Sequence, residues 1–405
     1  MFNRFWFKVH WILGLVVSIP LMVIALTGSI LSFEKEILKV INKDSYSVEI
    51  TGSKMPINEL LTKFATQVPN PNISSITIPS KQTDSIVINV SSKDPKQRKG
   101  INYYINPYTA ELLPELSGQK FFRIVLDLHR RLMVGEVGKQ IVAVSTISLL
   151  ILSLSGVYLY WPRIRRTFIG SLTFSFKNHG RYFLYSMHSA LGMWVLLLYI
   201  LVTLTGLYWS YEWYRKGIHI MTGVPMMQHG HGQQQKPDNK QNNVNNNETP
   251  KEDKRASENP DGRDGKPEQS KLNMKFAQIE KAYKMFDIFV QSEYDSVTIR
   301  VPQKGTKYDF MYLDENPAHY RARNSMQLDI KSWELLKHTR YDEKTTIDKL
   351  VSSMVPLHTG EYFGLIGQTL MFLASLLMPV FAITGLMLYI DRKRKEKKKL
   401  ARKEQ

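Results

Sequence analysis

The sequence contains no cysteine among its 405 residues. A chain without thiols cannot form disulfides, zinc–thiolate sites or iron–sulfur clusters, and it offers neither a cysteine nucleophile nor an attachment point for a c-type haem. It also lacks a P-loop, a dinucleotide fingerprint, a Gly-x-Ser-x-Gly elbow and an HExxH motif. Any metal must therefore be held by His, Met or oxygen ligands, and the sequence offers only ten histidines.

Acidic residues are also scarce, with 36 Asp and Glu against 54 Lys and Arg, which gives a net charge of +18. The apolar residues are concentrated in four runs at 9–33, 141–161, 183–209 and 363–390. Each run has about 20 predominantly apolar residues without Lys or Arg, enough to cross a hydrocarbon core of about 30 Å. The first is too long for the apolar part of a signal peptide, and no small-x-small cleavage pattern follows it. We therefore predict four membrane-spanning helices, the first of them retained.

The basic residues predict the orientation of these helices. Three short segments, 1–9, 162–182 and 391–405, together carry a charge of +13. Short basic loops stay on the cytoplasmic side, so we expect both termini inside and the long connections 34–140 and 210–362 on the opposite side. A basic tail can also serve as a nucleic-acid arm, but here the charge lies where the membrane topology needs it. We expect membrane lipid and no nucleic acid as a partner.

The spans carry an internal repeat of His and Gly. The first and third spans each have a His followed by Gly after four and eighteen residues, and the second and fourth are each preceded by a His with Gly after 6, 9 and 27 residues. The matched sets are His10, Gly14 and Gly28 with His188, Gly192 and Gly206, and His129, Gly135, Gly138 and Gly156 with His358, Gly364, Gly367 and Gly385. Two copies in the same direction predict a pseudo-two-fold axis along the membrane normal.

We predict a small α+β unit in each long connection, with a helix near 56–67 in the first and a helix near 274–285 in the second. The predicted strands are 74–78, 85–90 and 101–106, then 296–301, 309–313 and 326–330. The segment 228–272 is rich in Asn, Gln, Lys, Pro and Gly, and it predicts a disordered insertion. His229 and His231, beside two methionines at its start, are a weaker candidate for a metal site.

The predicted fold is thus a mainly α integral membrane protein, with a four-helix transmembrane bundle from a tandem same-direction repeat and two extracytoplasmic α+β domains. Its predicted segments are a first span within 1–33, an outer domain 34–128, a second span with its juxtamembrane part 129–161, a cytoplasmic loop 162–182, a third span 183–209, a second outer domain 210–357, a fourth span 358–390 and a basic tail 391–405.

Four of the histidines form two matched pairs at the membrane boundaries. His10 and His188 lie on the predicted cytoplasmic side, and His129 and His358 lie on the outer side, about 27 Å away for eighteen helical residues. One such His alone would as readily be an interfacial anchor. Four in symmetric pairs favour function, because ionisable groups at membrane depth tend to face the bundle and two imidazoles from facing helices form a bis-axial haem site. We predict two b-type haems, and no catalytic side chain.

Several neighbours of these histidines are secondary candidates. Gly14 and Gly192 share a helix face with the preceding His, so a macrocycle could approach there, although small-residue helix packing explains them too. Arg130 could pair with a haem propionate or act as an interfacial anchor. All four spans carry a [Leu/Ile]-[Thr/Ser]-Gly motif near the exit end, whose hydroxyl can bond back to a helix carbonyl and which we assign mainly to packing. The unmatched histidines, among them His319, are predicted surface groups.

The motifs resemble those of the PepSY-associated transmembrane proteins, also called iron-regulated membrane proteins. They are His10-x-x-Leu-Gly with Leu-Thr-Gly, Leu128-His129 before Gly-x-x-Gly, and Leu357-His358-Thr-Gly with Ile-Thr-Gly. The outer units resemble PepSY domains, with Tyr104-Ile-Asn-Pro-Tyr-Thr-Ala resembling a closing strand and turn. The resemblance covers nearly the whole chain outside 228–272.

The family includes bacterial ferric-siderophore reductases, so the resemblance implies b haems in the inner membrane that carry electrons outward to iron chelates. The expected partners are a ferric siderophore or other iron chelate and a cytoplasmic electron donor or quinol. The alternative is a non-catalytic PepSY module that binds or regulates an envelope protease or transporter, which would not need four matched histidines. A transporter is less favoured, because the spans hold no acidic residue.

Overall fold

The computed structural model describes residues 2–92, 94, 100–224 and 266–402. The helices, in chain order, are α1 (Phe2–Val16), α2 (Ser18–Ser32), α3 (Glu34–Ile41), α4 (Lys43–Tyr46), α5 (Ile57–Gln67), α6 (Gln119–Arg131), α7 (Gly135–Arg166), α8 (Phe168–Ser171), α9 (Gly180–Ser210), α10 (Glu212–Thr222), α11 (Lys266–Phe289), α12 (Thr346–Ser352), α13 (Met354–Thr359) and α14 (Gly364–Ala401). The strands are β1 (Ile73–Pro79), β2 (Ile86–Val90), β3 (Ile101–Ile105), β4 (Tyr294–Arg300), β5 (Lys307–Asp314), β6 (Asn324–Asp329) and β7 (Glu334–Thr339).

Three helices, α7, α9 and α14, are each long and apolar enough to cross a membrane. The run predicted as the first span is a bent pair, α1 and α2, with an angle of 63° between them. Pro20 explains the break, because a proline ring clashes with the carbonyl four residues earlier and supplies no N–H. That carbonyl belongs to Val16, the last residue of α1. The described residues therefore contain three such helices, or four if the bent pair is one span.

The membrane helices pack side by side and expose apolar side chains outward. In the centre, Leu21 of α2, Tyr199 of α9 and Met378 of α14 belong to one buried cluster, and the Tyr199 hydroxyl donates to the Ala374 carbonyl at 2.9 Å. On the outside, Leu197 is 77% exposed. An apolar exterior on long helices is the reverse of a soluble domain and suits helices surrounded by lipid.

The seven strands form one antiparallel sheet in the order β3-β2-β1-β4-β5-β6-β7. The segments predicted as two outer domains thus share a sheet, joined where β1 pairs with β4. At this seam the hydroxyls of Thr77 and Thr298 lie 3.0 Å apart. The six predicted strands are present with shifted ends, and β7 was missed.

One face of the sheet is covered by α5 and α11, which pack against each other. Alternate residues of β5, Tyr308, Phe310 and Tyr312, are buried in this core, as the period of two in a strand requires. On the other face, Tyr46 of α4 meets Tyr104 of β3 with ring centroids 5.4 Å apart. The chain that leaves α2 therefore runs beneath the face opposite α5 and α11.

A buried polar cluster joins the sheet to the segment before α14. His319, in the loop between β5 and β6, is only 5% exposed, so its prediction as a surface group was wrong. Its Nε2 lies 3.0 Å from the Tyr341 hydroxyl and 2.8 Å from the Ser353 hydroxyl. Its Nδ1 accepts the Arg321 backbone N–H at 3.1 Å, so the proton must be on Nε2. Ser353 directly precedes α13, which the cluster thereby holds to the sheet.

The predicted insertion 228–272 ends inside a helix, because residues 266–272 belong to α11. Residues 228–265 lie outside the described residues, and so do the candidate metal ligands His229 and His231.

Candidate functional site

The four matched histidines come together in two pairs. The His10 ring on α1 faces the His188 ring on α9, with centroids 6.5 Å apart and planes at 77°. The His129 ring on α6 faces the His358 ring on α13, with centroids 6.3 Å apart and planes at 69°. These are the pairs that the repeat in the sequence matched.

The pairs lie at opposite ends of the long helices. His10 contacts Ser155 on α7, whereas His129 lies on α6, directly before α7 begins at Gly135. The twenty residues from Gly135 to Ser155 correspond to about 30 Å of helix. His358 lies on α13, which begins directly after Ser353 of the polar cluster at the sheet. We therefore call His129 and His358 the sheet-side pair, and His10 and His188 the far-side pair.

Each imidazole is held by the hydroxyl of a [Thr/Ser]-Gly motif on another helix. The Nδ1 to oxygen distances are 2.9 Å for His10 and Ser155, 3.2 Å for His129 and Thr27, 2.8 Å for His188 and Thr384, and 3.0 Å for His358 and Thr205. From the sequence we assigned these motifs mainly to packing, with a hydroxyl that can bond to a helix carbonyl, and we did not foresee the contact with histidine. The signal in the sequence was the number of motifs, because four [Thr/Ser]-Gly motifs accompany four matched histidines, one for each ring that needs a hydrogen-bond partner.

The hydroxyls also fix the tautomer of each ring. Each hydroxyl lies within hydrogen-bond distance of a carbonyl of its own helix, at 2.7 Å for Thr27 and Val23, 2.6 Å for Thr205 and Leu201, 2.6 Å for Thr384 and Val380, and 3.2 Å for Ser155 and Leu152. A hydroxyl has one proton, so an oxygen that donates to a carbonyl accepts from the imidazole. For His129, Nδ1 is also 2.8 Å from the Ile24 carbonyl, which can only accept.

The proton therefore sits on Nδ1 of each ring, and Nε2 presents its lone pair. Throughout the described part of the chain, the hydrogen bonds of these four rings run through Nδ1. Metal-binding histidines are commonly oriented in this way, by a hydrogen bond from the nitrogen that does not bind the metal.

The glycine of each motif makes room for the edge of the ring. A Cβ added at the glycine would lie 3.2 Å from His129 Cε1 at Gly28, 3.4 Å from His10 Cε1 at Gly156, 3.4 Å from His358 Cε1 at Gly206 and 3.9 Å from His188 Cε1 at Gly385. An added Cβ at Gly28 would press tightly on the His129 ring, whereas at the other three glycines it would lie at the limit of, or within, ordinary van der Waals contact. The hydroxyl and the glycine thus act together, one holding the ring and the other admitting it.

The other predicted site residues have less specific surroundings. A Cβ at Gly14 would lie 3.7 Å from Leu152, and one at Gly192 would lie 3.8 Å from Phe381, which are ordinary contacts between neighbouring helices. Arg130 is exposed at the end of α6. A role for these three residues towards a cofactor stays a prediction.

Two aromatic rings that sequence reasoning missed border the histidines. Phe381 lies 5.3 Å from the His188 ring, and Trp209 lies 5.7 Å from the His358 ring, between centroids. Phe381 makes the same contact with Gly192 that Leu152 makes with Gly14. Because the equivalent positions hold Phe381 in one half and Leu152 in the other, the repeat in the sequence does not reveal this contact.

Each pair brings two imidazoles together. Among residues 2–92, 94, 100–224 and 266–402, no group of three or more His, Asp or Glu side chains is close enough to hold a metal ion.

Comparison with known proteins places the chain in a family. No curated protein matches it, but residues 7–392 match the family described as the PepSY-associated TM region. Since this match spans nearly the whole chain and agrees with its apolar helices, the protein is a multi-pass membrane protein that belongs to the PepSY-associated TM family.

Proposed function

We propose that this protein is a b-type dihaem electron-transfer protein of the bacterial inner membrane. His10 and His188 hold one haem near the cytoplasmic side, and His129 and His358 hold the other near the periplasm. Electrons from a cytoplasmic donor or a quinol cross to the periplasmic side, where ferric siderophores or other iron chelates are reduced for iron uptake. Reduction favours release of the iron, because Fe²⁺ binds hard oxygen ligands less tightly.

The spacing of the rings supports this proposal. A metal–imidazole bond is about 2.0 Å, and the ring centre lies about 1.1 Å behind the nitrogen, so two rings on opposite sides of one metal have centroids about 6.3 Å apart. The observed separations are 6.5 Å and 6.3 Å. Both separations thus leave the room that one metal atom between two imidazoles would need.

The tautomer supports it as well. With the proton on Nδ1, each Nε2 can donate its lone pair to iron, and the hydroxyls hold the ring planes in place. A haem takes its other four ligands from the macrocycle, which is consistent with two histidines and no third side chain in each pair. When bound, haem supplies one-electron transfer, while the protein sets its position and potential.

The equivalence of the contacts supports a tandem repeat. In the first half, His10 meets Ser155 and His129 meets Thr27, and in the second half His188 meets Thr384 and His358 meets Thr205. We infer a four-helix bundle of two same-direction repeats around a pseudo-two-fold axis. The Thr77–Thr298 contact at the β1–β4 seam suits the same axis, because equivalent residues of two repeats meet only where the axis passes.

Haem content per chain tests the assignment of the ligands. The full chain is purified in detergent after expression with excess haem, and oxidised and reduced absorption spectra are recorded for wild type, His10→Ala, His129→Ala and the double variant. We expect two haems in wild type, one in each single variant and none in the double variant. His179→Ala, which removes an exposed histidine, is the matched control and should keep both. Wild type without haem bands would refute the proposal, and loss of both haems in each single variant would refute the pairing.

Electron transfer to an iron chelate is tested separately. The protein is reconstituted in vesicles with dithionite inside, and a ferric siderophore is added outside. Haem oxidation on addition, together with appearance of Fe²⁺ captured by ferrozine outside, is the expected result. A fully haem-loaded protein that stays reduced would exclude ferric chelates of this kind as its substrate.

A further inference from the structure

Helix α10 follows the sheet-side end of α9 in a stretch dense in aromatic residues. Five of the seven positions 208–214 are Tyr or Trp, namely Tyr208, Trp209, Tyr211, Trp213 and Tyr214. Aromatic side chains concentrate where a membrane helix meets the headgroup region. This stretch therefore marks the level at which α9 leaves the hydrocarbon core.

One face of α10 is apolar and exposed. Trp213 is 66% exposed, Ile220 is 81% exposed and Met221 is 88% exposed. Their spacing of seven and eight residues puts them on one side of a helix. Large apolar side chains at this exposure, next to a membrane helix, indicate a surface that is covered when the protein is in its own environment.

The other sides of α10 are occupied. His219 bonds to the Tyr208 hydroxyl of α9 and to the Val224 carbonyl, both at 2.8 Å. The exposed pair Glu212 and Lys216 forms an ion pair of 2.9 Å along the flank of the apolar face. The helix therefore has one side fixed to α9, one charged flank and one apolar face directed away from α9.

We propose that α10 is an interfacial helix whose apolar face is buried among the lipids of the bilayer on the sheet side. Continuity with a membrane-spanning helix and the aromatic stretch at their junction identify lipid as the occupant, since short helices with one apolar face and a charged flank lie in the plane of the interface. The proposal is independent of haem.

The consequence concerns the sheet-side histidine pair. Because His219 is bonded to Tyr208, an α10 anchored in lipid fixes the last turn of α9. That turn follows Thr205 and Gly206, which hold the His358 ring. Anchoring α10 thus steadies the hydroxyl and the glycine on which His358 rests.

The lack of cysteine makes a direct test simple, because one introduced cysteine is the only thiol. Met221→Cys and Glu212→Cys place a nitroxide on the apolar face and on the opposite, charged side of the same helix, since nine residues correspond to about two and a half turns. The labelled full-length proteins are reconstituted in vesicles of phosphatidylethanolamine and phosphatidylglycerol, and collision rates with oxygen and with a water-soluble nickel complex are measured by EPR. Leu197→Cys, on the lipid-exposed part of α9, gives the hydrocarbon reference, and Lys304→Cys, in the loop between β4 and β5, gives the water reference.

We expect the ratio of oxygen to nickel accessibility at position 221 to be several-fold higher than at 212 and close to that at 197. Equal ratios at 221 and 212, both near that at 304, would place α10 in water and overturn the proposal. A label at 221 that neither reagent reaches would show that protein covers the face, for example a second copy of the chain, and would overturn it too.

Discussion

Replacing Gly28 with alanine puts one methyl group where the His129 ring rests. The new Cβ would lie 3.2 Å from His129 Cε1 and 3.5 Å from its Nδ1, whereas carbon atoms prefer separations of about 3.5–4.0 Å. The ring cannot move aside freely, because its Nδ1 is bonded to Ile24 and Thr27 of the same helix. The substitution should therefore strain the sheet-side pair.

The magnitude follows from two opposing effects. Overpacking costs about 1–3 kcal/mol, while replacing Gly by Ala inside a helix gains about 0.5–1 kcal/mol. At Gly28 the sum is a loss of about 0–2.5 kcal/mol. At Gly385 the same substitution meets His188 only at 3.9 Å, an ordinary contact, so only the helical gain of about 0.5–1 kcal/mol remains.

The two alanine variants are therefore matched controls for each other. Unfolding of the purified proteins by SDS in mixed micelles, followed by circular dichroism, should give a free energy about 1–3 kcal/mol lower for Gly28→Ala than for Gly385→Ala. In haem-loaded protein, the spectrum of one haem should change in Gly28→Ala, and neither should change in Gly385→Ala. If Gly28→Ala were as stable as Gly385→Ala, the close approach of His129 to α2 would be refuted.

Two further predictions concern hydrogen bonds to histidine. In the described residues His188 has only the Thr384 hydroxyl as a hydrogen-bond partner, so Thr384→Val should lower the free energy of unfolding by about 1–3 kcal/mol in the SDS assay. Thr27→Val should lower it less, because His129 keeps its bond to the Ile24 carbonyl. Equal losses in the two variants would contradict this prediction. Burial lowers the pKa of His319 below its usual 6.5. The positive charges of Arg321 and Lys344 lower this pKa further, and the negative charge of Glu361 opposes them. The unfolded chain then takes up the proton first, so stability should be full above about pH 6.5 and fall as the pH drops below it. Thermal unfolding between pH 5 and 8 should show this slope, and His319→Gln should flatten it; an unchanged slope would assign it to another group.

The membrane helices and most strands were predictable from the sequence because their patterns are local. Runs of apolar residues and alternation along a strand need no knowledge of neighbours. The bend at Val17 was also visible in principle, since Pro20 lies inside the first run, but length and hydropathy alone do not register it. Strand β7 was missed because Glu334-Leu-Leu-Lys lacks the alternation of a strand with one buried face.

The joining of the sheet was not predictable from local patterns. Thr77 and Thr298 meet across the seam although 221 residues separate them, and the pattern of each strand says which face is buried but not which strand lies beside it. The same limit applied to the site. The repeat paired the histidines correctly in space, whereas the bond from each ring to a hydroxyl on another helix depends on how the helices pack.

The arrangement of the two pairs gives a physical reason for the two halves of the chain. The first half contributes His10 at one end and His129 at the other, and the second half contributes His188 and His358. Each half also supplies the hydroxyl and glycine that hold its own rings. A half alone would therefore present two well-oriented imidazoles, each with a free Nε2 and no partner across from it. In the proposed function neither pair of histidines could hold a haem until both halves are together, and the continuous β1–β4 seam and the packing of α5 against α11 join the halves outside the lipid.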